Sequence, residues 1–359
     1  MFSFSKLTEF GFNPLHYFAK DVGIDLGTAH TLIYVAGSGI VVKEATLAAI
    51  NTKTGQVIAV GDEAKKMMGR TPLHVEVVKP IVNGVISDFE VTQEILKTFL
   101  KQALGGGAFG NFRRAVVGVP SNLTEVERKS VEDVVVSSGV SRAYLIDEPL
   151  AVSLGARLPI DEPTASMIVD IGEGTTEIAI ISMNGTVKSK TLKIAGGKLN
   201  EEIIRFVRDE FRLVIGEPTA EELKVQIGSA MPLTERLEMA VQGRDLATGL
   251  PKEVVVKDIH VRTAIIRSLK TIVDAIREVL EISPPELAGD ILRRGVFLSG
   301  GGSMLKKFDE LVAKELFVST YIIDDPLTCV ARGTGIAVEN FPQFMGILSQ
   351  PLLPKEIRI

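Results

Sequence analysis

Two short segments, far apart in the chain, have the composition of phosphate-binding turns. The first reads Asp25-Leu-Gly-Thr-Ala-His-Thr-Leu-Ile-Tyr-Val and the second Asp170-Ile-Gly-Glu-Gly-Thr-Thr-Glu-Ile-Ala-Ile, with one constant offset throughout. In each segment an aspartate ends an apolar strand and glycine follows, so backbone N–H groups can approach an anion without an intervening Cβ atom. The repeat predicts two related lobes whose turns hold phosphates between them.

Asp25 and Asp170 would both lie beside those phosphates, where like charges meet. A carboxylate is unfavourable there unless a divalent cation separates the charges, and Mg²⁺ that keeps several water ligands meets this need. We therefore predict that the two aspartates hold Mg²⁺ through water.

Glu148 lies where a predicted strand ends and Pro149 begins a helix. One interpretation is a helix-capping acid, since acidic residues and proline are favoured at helix starts. The other is a catalytic group: if the strand end faces the cleft, Glu148 can orient a water for attack on a γ-phosphate.

A third glycine-rich segment, Gly295-Val-Phe-Leu-Ser-Gly-Gly-Gly302, follows the pattern of a strand that runs into a helix. Its bare backbone can lie against an adenine or ribose, or can serve only as a flexible joint. Gly105-Gly-Gly-Ala-Phe-Gly fits G-x-G-x-x-G, but it follows a helix and precedes a strand, the reverse of the dinucleotide-binding order. The chain has no P-loop motif, and its 4 histidines lack metal-ligand spacing.

Alternating strands and helices must position these residues, which predicts an α/β fold. Residues 22–50 have the pattern of a β-meander with glycine at each reversal. Thr124, followed three residues later by Glu127, is typical of a capping box. The elements predicted after the meander are a helix over 91–104, a strand over 115–119, a helix over 124–138, a strand over 143–146 and a helix over 149–157.

The composition is that of a large globular protein inside the cell. The 359 residues exceed the usual size of one core, which predicts two domains. A net charge of −5 without blocks of like charge excludes a nucleic-acid footprint. The single Cys329 fits a reducing cytoplasm. No apolar run reaches the roughly 18 residues of a membrane span, and residues 1–20 lack a secretory apolar core.

Residues 1–20 are rich in large apolar side chains, all of which except Phe2 and Phe12 fall on one broad arc of a helical wheel. They are Phe2, Phe4, Leu7, Phe10, Phe12, Leu15, Tyr17 and Phe18. The segment is expected to form amphipathic helices that lie on a membrane surface or dock on the protein's own core.

A set of motifs, in this order and spacing, resembles the MreB family of bacterial actin homologues from about residue 21 to residue 340. The motifs are Asp25-Leu-Gly-Thr, Lys79-Pro…Gly84-Val-Ile-Ser-Asp-Phe, Asp147-Glu-Pro, Val169-Asp-Ile-Gly…Gly-Thr-Thr-Glu, Gly243-Arg-Asp-Leu…Gly-Leu-Pro, Pro284-Pro-Glu-Leu and Leu298-Ser-Gly-Gly-Gly.

The resemblance implies an α/β, actin-like (ribonuclease H-like) duplicated two-lobe fold with four subdomains and a central nucleotide cleft. The boundaries that it implies are a membrane-binding segment at 1–20, a first lobe at 21–162 with a small subdomain at about 50–82, a second lobe at 163–329 with a small subdomain at about 199–261, and a return to the first lobe at 330–359.

The resemblance also implies ATP and Mg²⁺ in the cleft, with slow hydrolysis that is coupled to polymerisation and promoted by Glu148. The nucleotide-binding positions carried over are Asp25, Gly27, Thr28, Ala29, His30, Asp170, Gly172, Glu173, Gly174, Thr175, Gly196, Gly197, Ala220, Glu221, Glu222, Leu223, Leu298, Ser299, Gly300 and Gly301.

In the family such proteins form filaments, with paired protofilaments, that organise cell-wall elongation and rod shape at the cytoplasmic face of the inner membrane. The implied partners are further copies of the chain, the membrane surface and elongation membrane proteins such as MreC and RodZ, without nucleic acid. Membrane attachment would fall on Phe2, Phe4, Leu7, Phe10, Phe109 and Phe112.

Four positions depart from the family pattern. His30 stands where asparagine is common, Gly197 and Asn200 where aspartates are common, and Glu173 replaces the middle glycine of the second turn. A carboxylate about 5 Å from a phosphate oxygen costs roughly 3 kcal/mol at an effective dielectric near 20. Glu173 is therefore expected to turn to solvent, to join the Mg²⁺ shell or to weaken nucleotide binding.

Other functions on the same fold class stay open at this point. A small-molecule kinase would need a substrate-activating carboxylate and a second ligand pocket, which the sequence does not reveal. A chaperone of the Hsp70 type would need a further peptide-binding domain. A filament-forming paralogue with impaired hydrolysis is the third alternative, because of Glu173.

Overall fold

Eighteen strands and eleven helices occupy the described parts of the chain, residues 20–105 and 111–349 of a computed structural model. The strands are β1 (Lys20–Leu26), β2 (His30–Val35), β3 (Gly39–Ala45), β4 (Ala48–Asn51), β5 (Val57–Val60), β6 (Val75–Val78), β7 (Ile81–Val82), β8 (Val85–Ile86), β9 (Phe112–Val119), β10 (Ala143–Asp147), β11 (Ser166–Ile171), β12 (Thr176–Ser182), β13 (Gly185–Leu192), β14 (Leu213–Val214), β15 (Glu238–Asp245), β16 (Pro251–Lys257), β17 (Val296–Ser299) and β18 (Thr320–Ile322). The helices are α1 (Asp62–Met67), α2 (Phe89–Ala103), α3 (Glu125–Ser137), α4 (Glu148–Gly155), α5 (Gly196–Phe211), α6 (Glu217–Ile227), α7 (Asp258–Glu281), α8 (Pro285–Arg294), α9 (Phe308–Leu316), α10 (Cys329–Glu339) and α11 (Phe341–Phe344).

Two five-stranded sheets with the same strand order form the framework. The first has the order β10-β9-β1-β2-β3 and the second, read from its other edge, β18-β17-β11-β12-β13. In each sheet three consecutive strands form an antiparallel meander, a later strand pairs in parallel with its first strand, and a second later strand pairs in parallel with that one. This common topology is the structural form of the sequence repeat.

The two meanders also share one register. Asp25 lies opposite Leu32 in the first hairpin, and Asp170 lies opposite Glu177 in the second. Both aspartates therefore lie one residue before the end of the first strand of their meander. The parallel neighbours Gly118 and Ser299 flank them on the other side, so each loop projects from the carboxyl end of a parallel pair, where ligands of open α/β sheets bind.

Three layers of apolar side chains hold these sheets. The first sheet packs against α2 and α3, and the second sheet packs against α5, α6, α7 and α9. A third cluster, which includes α4 and α10, contacts buried residues of both sheets, such as Ile146 and Ile168. The two lobes are therefore joined by a shared core as well as by the chain.

Smaller sheets extend each lobe. Strands β5-β4-β6 form a three-stranded sheet beside the first large sheet, and β14-β15-β16 form another beside the second. A two-stranded hairpin, β7 and β8, leads into α2. No helix in the described ranges combines the length and apolar character needed to cross a bilayer.

The locally encoded elements agree with prediction to within a few residues. Thr124 and Glu127 form the predicted capping box of α3 through reciprocal side-chain and backbone bonds. Helix α2 begins slightly earlier than predicted because the Asp88 side chain accepts a hydrogen bond from Val91 N. Strand β9 begins at Phe112, three residues before the prediction, because it continues to pair with β1 there.

Helices α4 and α10 cross with their backbones in contact. A Cβ atom at Gly333 would lie 1.7 Å from the Ala151 carbonyl oxygen, and one at Gly155 would lie 2.0 Å from the Cys329 carbonyl oxygen. Cys329 itself is fully buried at this crossing, as expected of a small apolar residue.

Candidate nucleotide site

The two repeated turns close in the same way. Gly27 N donates to His30 O at 3.1 Å, and Gly172 N donates to Thr175 O at 2.9 Å. These four positions correspond one to one in the repeat, so the sequence match extends to individual backbone hydrogen bonds.

The turns face each other directly across the boundary between the lobes. A Cβ atom at Gly174 would lie 2.6 Å from Thr28 Oγ1 and 2.8 Å from Asn83 Cα. Any side chain at position 174 would therefore force the first turn, the second turn and the β7–β8 hairpin apart. The glycine at this position is required by the close approach of three segments.

The β7–β8 hairpin is a part of this site to which the sequence motifs assigned no role. Gly84 N donates to Thr28 Oγ1 at 3.1 Å, and a Cβ atom at Gly84 would lie 3.5 Å from Thr175 Cγ2. The hairpin thus contacts both turns. The sequence signal for this hairpin was its motif in the first lobe, Lys79-Pro…Gly84-Val-Ile-Ser-Asp-Phe.

Acidic side chains gather behind the turns. Burial and the charge of Asp170 raise the pKa of Asp25 to about 7. Burial raises the pKa of Asp170 to about 6, although the Ser299 hydroxyl lowers it in part. Burial, followed by the charges of Asp170 and Glu177, raises the pKa of Glu148 well above its ordinary value. Predicted catalytic and metal residues from three separate segments therefore share one environment.

Glu177 is a further member of this cluster that sequence reasoning missed. It is fully buried in β12, opposite Asp170, and burial raises the pKa of its carboxyl group. One oxygen accepts a hydrogen bond from Ser121 N of the first lobe at 3.2 Å. The signal in the sequence was a glutamate in an otherwise apolar strand.

The orphaned oxygens of the cluster fit a bound cation. Asp170 Oδ1 and Glu177 Oε1 are buried and have no hydrogen-bond partner within the described ranges. Such atoms are costly unless a ligand satisfies them. Within the same ranges, no three histidine, cysteine or acidic residues lie close enough to ligate one ion together. The donor set therefore suits an ion that keeps water or phosphate ligands, as Mg²⁺ does.

Glu148 is the first residue of α4 rather than its N-cap. The N-cap is Asp147, whose side chain makes no capping bond and instead accepts from Arg128 at 2.8 Å. Glu148 does lie at the start of a helix, but its electrostatic neighbours are the acids of the cleft. Glu148 therefore belongs to the acidic cluster, and its catalytic role stays a prediction.

The third glycine segment packs on the second turn. A Cβ atom at Gly300 would lie 2.4 Å from Ile171 O and 2.8 Å from Asp170 Oδ1, and this residue has φ near +77°. The glycines therefore form a fixed part of the site. Leu298 and Ser299 are completely buried, which leaves the backbone of Gly300 and Gly301 as the accessible portion.

The predicted nucleoside segment of α6 exposes only part of its side chains. Ala220 and Leu223 are fully buried in the core of the second lobe. Glu222 is exposed and accepts from Gln226. Glu221 accepts from Asn200 Nδ2 at 2.7 Å and contacts Lys224 Nζ at 2.6 Å. The Asn200 amide therefore links the start of α5 to Glu221 of α6.

Glu173 does not turn to solvent. Its side chain is only 15% exposed and lies between Lys79 Nζ at 3.9 Å and Lys224 Nζ at 4.0 Å. Burial raises the pKa of Glu173, while Lys224 and Lys79 oppose that effect. The solvent-facing interpretation is therefore wrong, because lysines from both lobes hold the carboxylate inside.

The start of α5 lies on the second turn. Gly196 N donates to Gly172 O at 3.0 Å, and Gly197 N donates to Glu173 O at 2.9 Å. Gly196 and Gly197 therefore belong to the same unit as the turn, although a contact of either glycine with nucleotide stays a prediction.

The prediction that Phe112 binds membrane is wrong. Phe112 is 1% exposed and packs in the core of the first lobe, where β9 pairs with β1. The other predicted membrane residues, which lie outside the described residues, are Phe2, Phe4, Leu7, Phe10 and Phe109.

A duplicated α/β fold with paired glycine turns facing each other between the lobes defines an actin-like protein. The MreB/Mbl protein family matches residues 19–345, and the chain belongs to this family. It is 42% identical over 323 residues to the cell shape-determining protein Mbl of Bacillus subtilis, covering 90% of this chain and 97% of that protein. It is 44% identical over 335 residues to the cell shape-determining protein MreB of Escherichia coli, covering 92% and 96%.

A solved structure confirms the predicted actin-like fold class. MreB5 of Spiroplasma citri bound to AMPPNP superimposes with a TM-score of 0.87 at 35% identity, covering 91% of this chain and 98% of that one. The MreB resemblance deduced from the sequence motifs is likewise confirmed by the family match.

Proposed function

We propose that this protein binds ATP between its two turns and assembles into filaments that organise cell-wall elongation and rod shape. The observation that carries this proposal is the pair of turns with one register and one closing hydrogen bond, with Asp25 and Asp170 at matching positions. The cell shape-determining relatives and the AMPPNP-bound structure of Spiroplasma citri MreB5 support it.

The carboxylate cluster supports a requirement for Mg²⁺. Asp25 and Asp170 would hold the ion through water, and Asp170 Oδ1 is the buried oxygen that such water would satisfy. The bound ion would supply positive charge that lowers the raised pKa values of the neighbouring acids. Glu148, once ionised, would orient a water toward the γ-phosphate and accept its proton. Slow ATP hydrolysis is the activity that follows.

Electron microscopy of the purified protein on a lipid monolayer tests the filament proposal. Filaments are expected with Mg²⁺-ATP and not with EDTA. The matched control is Gly174→Val, whose side chain would separate the turns at Thr28 and Asn83. The proposal fails if nucleotide binds to the wild-type protein but no filaments form at any protein concentration.

Membrane attachment is proposed for residues 1–20, on the inner face of the cytoplasmic membrane. The apolar arc of this segment supports the proposal. Co-sedimentation with liposomes should be strong for the full chain and weak for a chain that begins at Lys20, whereas equal sedimentation would remove this segment from the role. Membrane proteins such as MreC and RodZ are proposed partners. Pull-down from solubilised membranes, with the full chain and with the chain that begins at Lys20, would test this proposal.

A further inference from the structure

Glu173 occupies a position where a carboxylate is unexpected. It lies in the middle of the second turn, yet its side chain is mostly buried. If it only repelled phosphate, its removal would strengthen nucleotide binding. The contacts around it give the opposite expectation.

The carboxylate fits because two neighbours lack side chains. A Cβ atom at Gly196 would lie 2.6 Å from Glu173 Oε2, and one at Gly197 would lie 3.1 Å from Glu173 Oε1. Both glycines begin α5, whose N-cap residue Ala195 makes no side-chain capping bond. The carboxylate therefore lies at the positive end of a helix dipole, where negative charge is stabilised.

Two lysines complete the neutralisation and connect the lobes. Lys79 belongs to the first lobe, between β6 and β7, and contacts Glu217 at the start of α6 as well as Glu173. Lys224 belongs to α6, contacts Glu173 and donates to Gly196 O at 3.0 Å. Glu173 is the group that both lysines share, at 15% exposure, where screening by solvent is reduced.

We infer that Glu173 is a positioning residue that holds the cleft closed over bound nucleotide. Through Lys79 it draws the first lobe onto the second turn, and through Lys224 it fixes the end of α6 that carries Glu221. This inference rests on the proposed nucleotide binding. It predicts that the carboxylate slows nucleotide dissociation, although a carboxylate in a phosphate turn would by itself speed it.

The direction in which Glu173→Gln changes the rate of nucleotide dissociation tests the inference. Dissociation of fluorescent N-methylanthraniloyl-ATP with Mg²⁺ is measured by stopped flow for the wild type, Glu173→Gln and Lys79→Met. Both variants should release the probe about tenfold faster, which corresponds to about 1.4 kcal/mol. The double variant should release the probe no faster than Lys79→Met alone, because Lys79→Met already breaks the contact with Glu173 as well as the Lys79–Glu217 ion pair. Glu201→Gln, at an exposed ion pair on α5, is the matched control and should be unchanged.

Moving the carboxylate to a neighbouring position provides a rescue. Gly197→Asp alone would place two carboxylates in one space and should weaken binding. Gly197→Asp combined with Glu173→Gly should bring dissociation back toward the wild-type rate, since one acid again faces Lys79 and Lys224.

Three outcomes overturn the inference. Tighter binding by Glu173→Gln would make the carboxylate a repulsive group, an unchanged rate would make it irrelevant, and additive effects in the double variant would separate it from Lys79. If Glu173→Gln fails to fold, Lys79→Met is compared with Glu217→Gln, which removes only the other carboxylate partner of Lys79 and should therefore release the probe more slowly than Lys79→Met. A wild-type protein that does not bind the probe would instead refute the proposed function, and this result is distinguishable from the others.

Discussion

Replacing Asp25 by asparagine removes one of the charges that the fold concentrates behind the turns. Burial and the Asp170 charge raise the pKa of Asp25 from 3.8 to about 7. Asparagine keeps the shape of the side chain without its charge. We therefore expect Asp25→Asn to stabilise the nucleotide-free protein at the pH where wild-type Asp25 is ionised.

The size of the effect follows from the pKa difference. A group whose pKa is higher in the folded state binds protons more strongly there, so its contribution to stability is complete below pH 3.8 and is lost as the pH rises through about 7. At about 1.36 kcal/mol per pKa unit, the loss approaches an upper limit of about 4 kcal/mol. Because roughly 2 °C of melting temperature accompanies each kcal/mol, the variant should melt up to about 8 °C higher near pH 8.

Thermal melts of both proteins in EDTA, between about pH 5 and pH 8, measure this difference. The difference between the two curves should shrink steadily as the pH falls from about 8 to about 5, and it would vanish only below pH 3.8, where Asp25 is also protonated in the unfolded state. Mg²⁺-ATP should then raise the melting temperature of the wild type more than that of Asp25→Asn. Asp209→Asn, at an exposed ion pair with Arg208, is the control. Parallel curves for Asp25→Asn and wild type would refute the assignment of this pH dependence to Asp25.

Three further changes have effects of predictable size. Glu148→Ala should lower phosphate release about a hundredfold while the affinity for AMPPNP is retained, and unchanged release would exclude Glu148 from the chemistry. Gly333→Ala should lower the free energy of unfolding in urea by about 3 kcal/mol, because its Cβ atom would collide with Ala151 O, whereas Gly346→Ala has open space and should have little effect. Asp21→Ala removes the buried carboxylate that Arg113 and Arg114 share. Because both arginines remain partly exposed to water, the loss should be about 1.5 kcal/mol at neutral pH. The folded-state pKa of Asp21 is lowered, so the difference from wild type should shrink as the pH falls below 3.8, and a constant difference would contradict the ion-pair explanation.

The repeat was the part of the fold that the sequence revealed most fully. Glycine turns and apolar strands are local patterns. Because the second copy repeats them at a constant offset, both copies are expected to pair their strands in the same way. The registers of Asp25 and Asp170 and the two closing hydrogen bonds follow directly from it. The capping box at Thr124 was predictable for the same reason, since all its atoms lie within one turn of helix.

Features that depend on distant partners could not be predicted in this way. An aromatic residue beside a glycine-rich loop has the same local pattern whether it faces a membrane or a core, and only the pairing of β9 with β1 decides that Phe112 is buried. The surroundings of Glu173 come from Lys79 and Lys224, which lie far from it in opposite directions along the chain. Their charges explain how a glutamate is tolerated there.

The acidic groups in this cleft have two different electrostatic environments, and the contrast indicates which form of the nucleotide the cleft binds. Glu173 is balanced by lysines of the protein itself. The cluster of Asp25, Asp170, Glu148 and Glu177 has raised pKa values and two buried oxygens without partners among the described residues. ATP without a cation would add negative charge to an unbalanced cluster, whereas Mg²⁺-ATP brings the missing positive charge with it. The cleft should therefore discriminate between these two forms of the nucleotide.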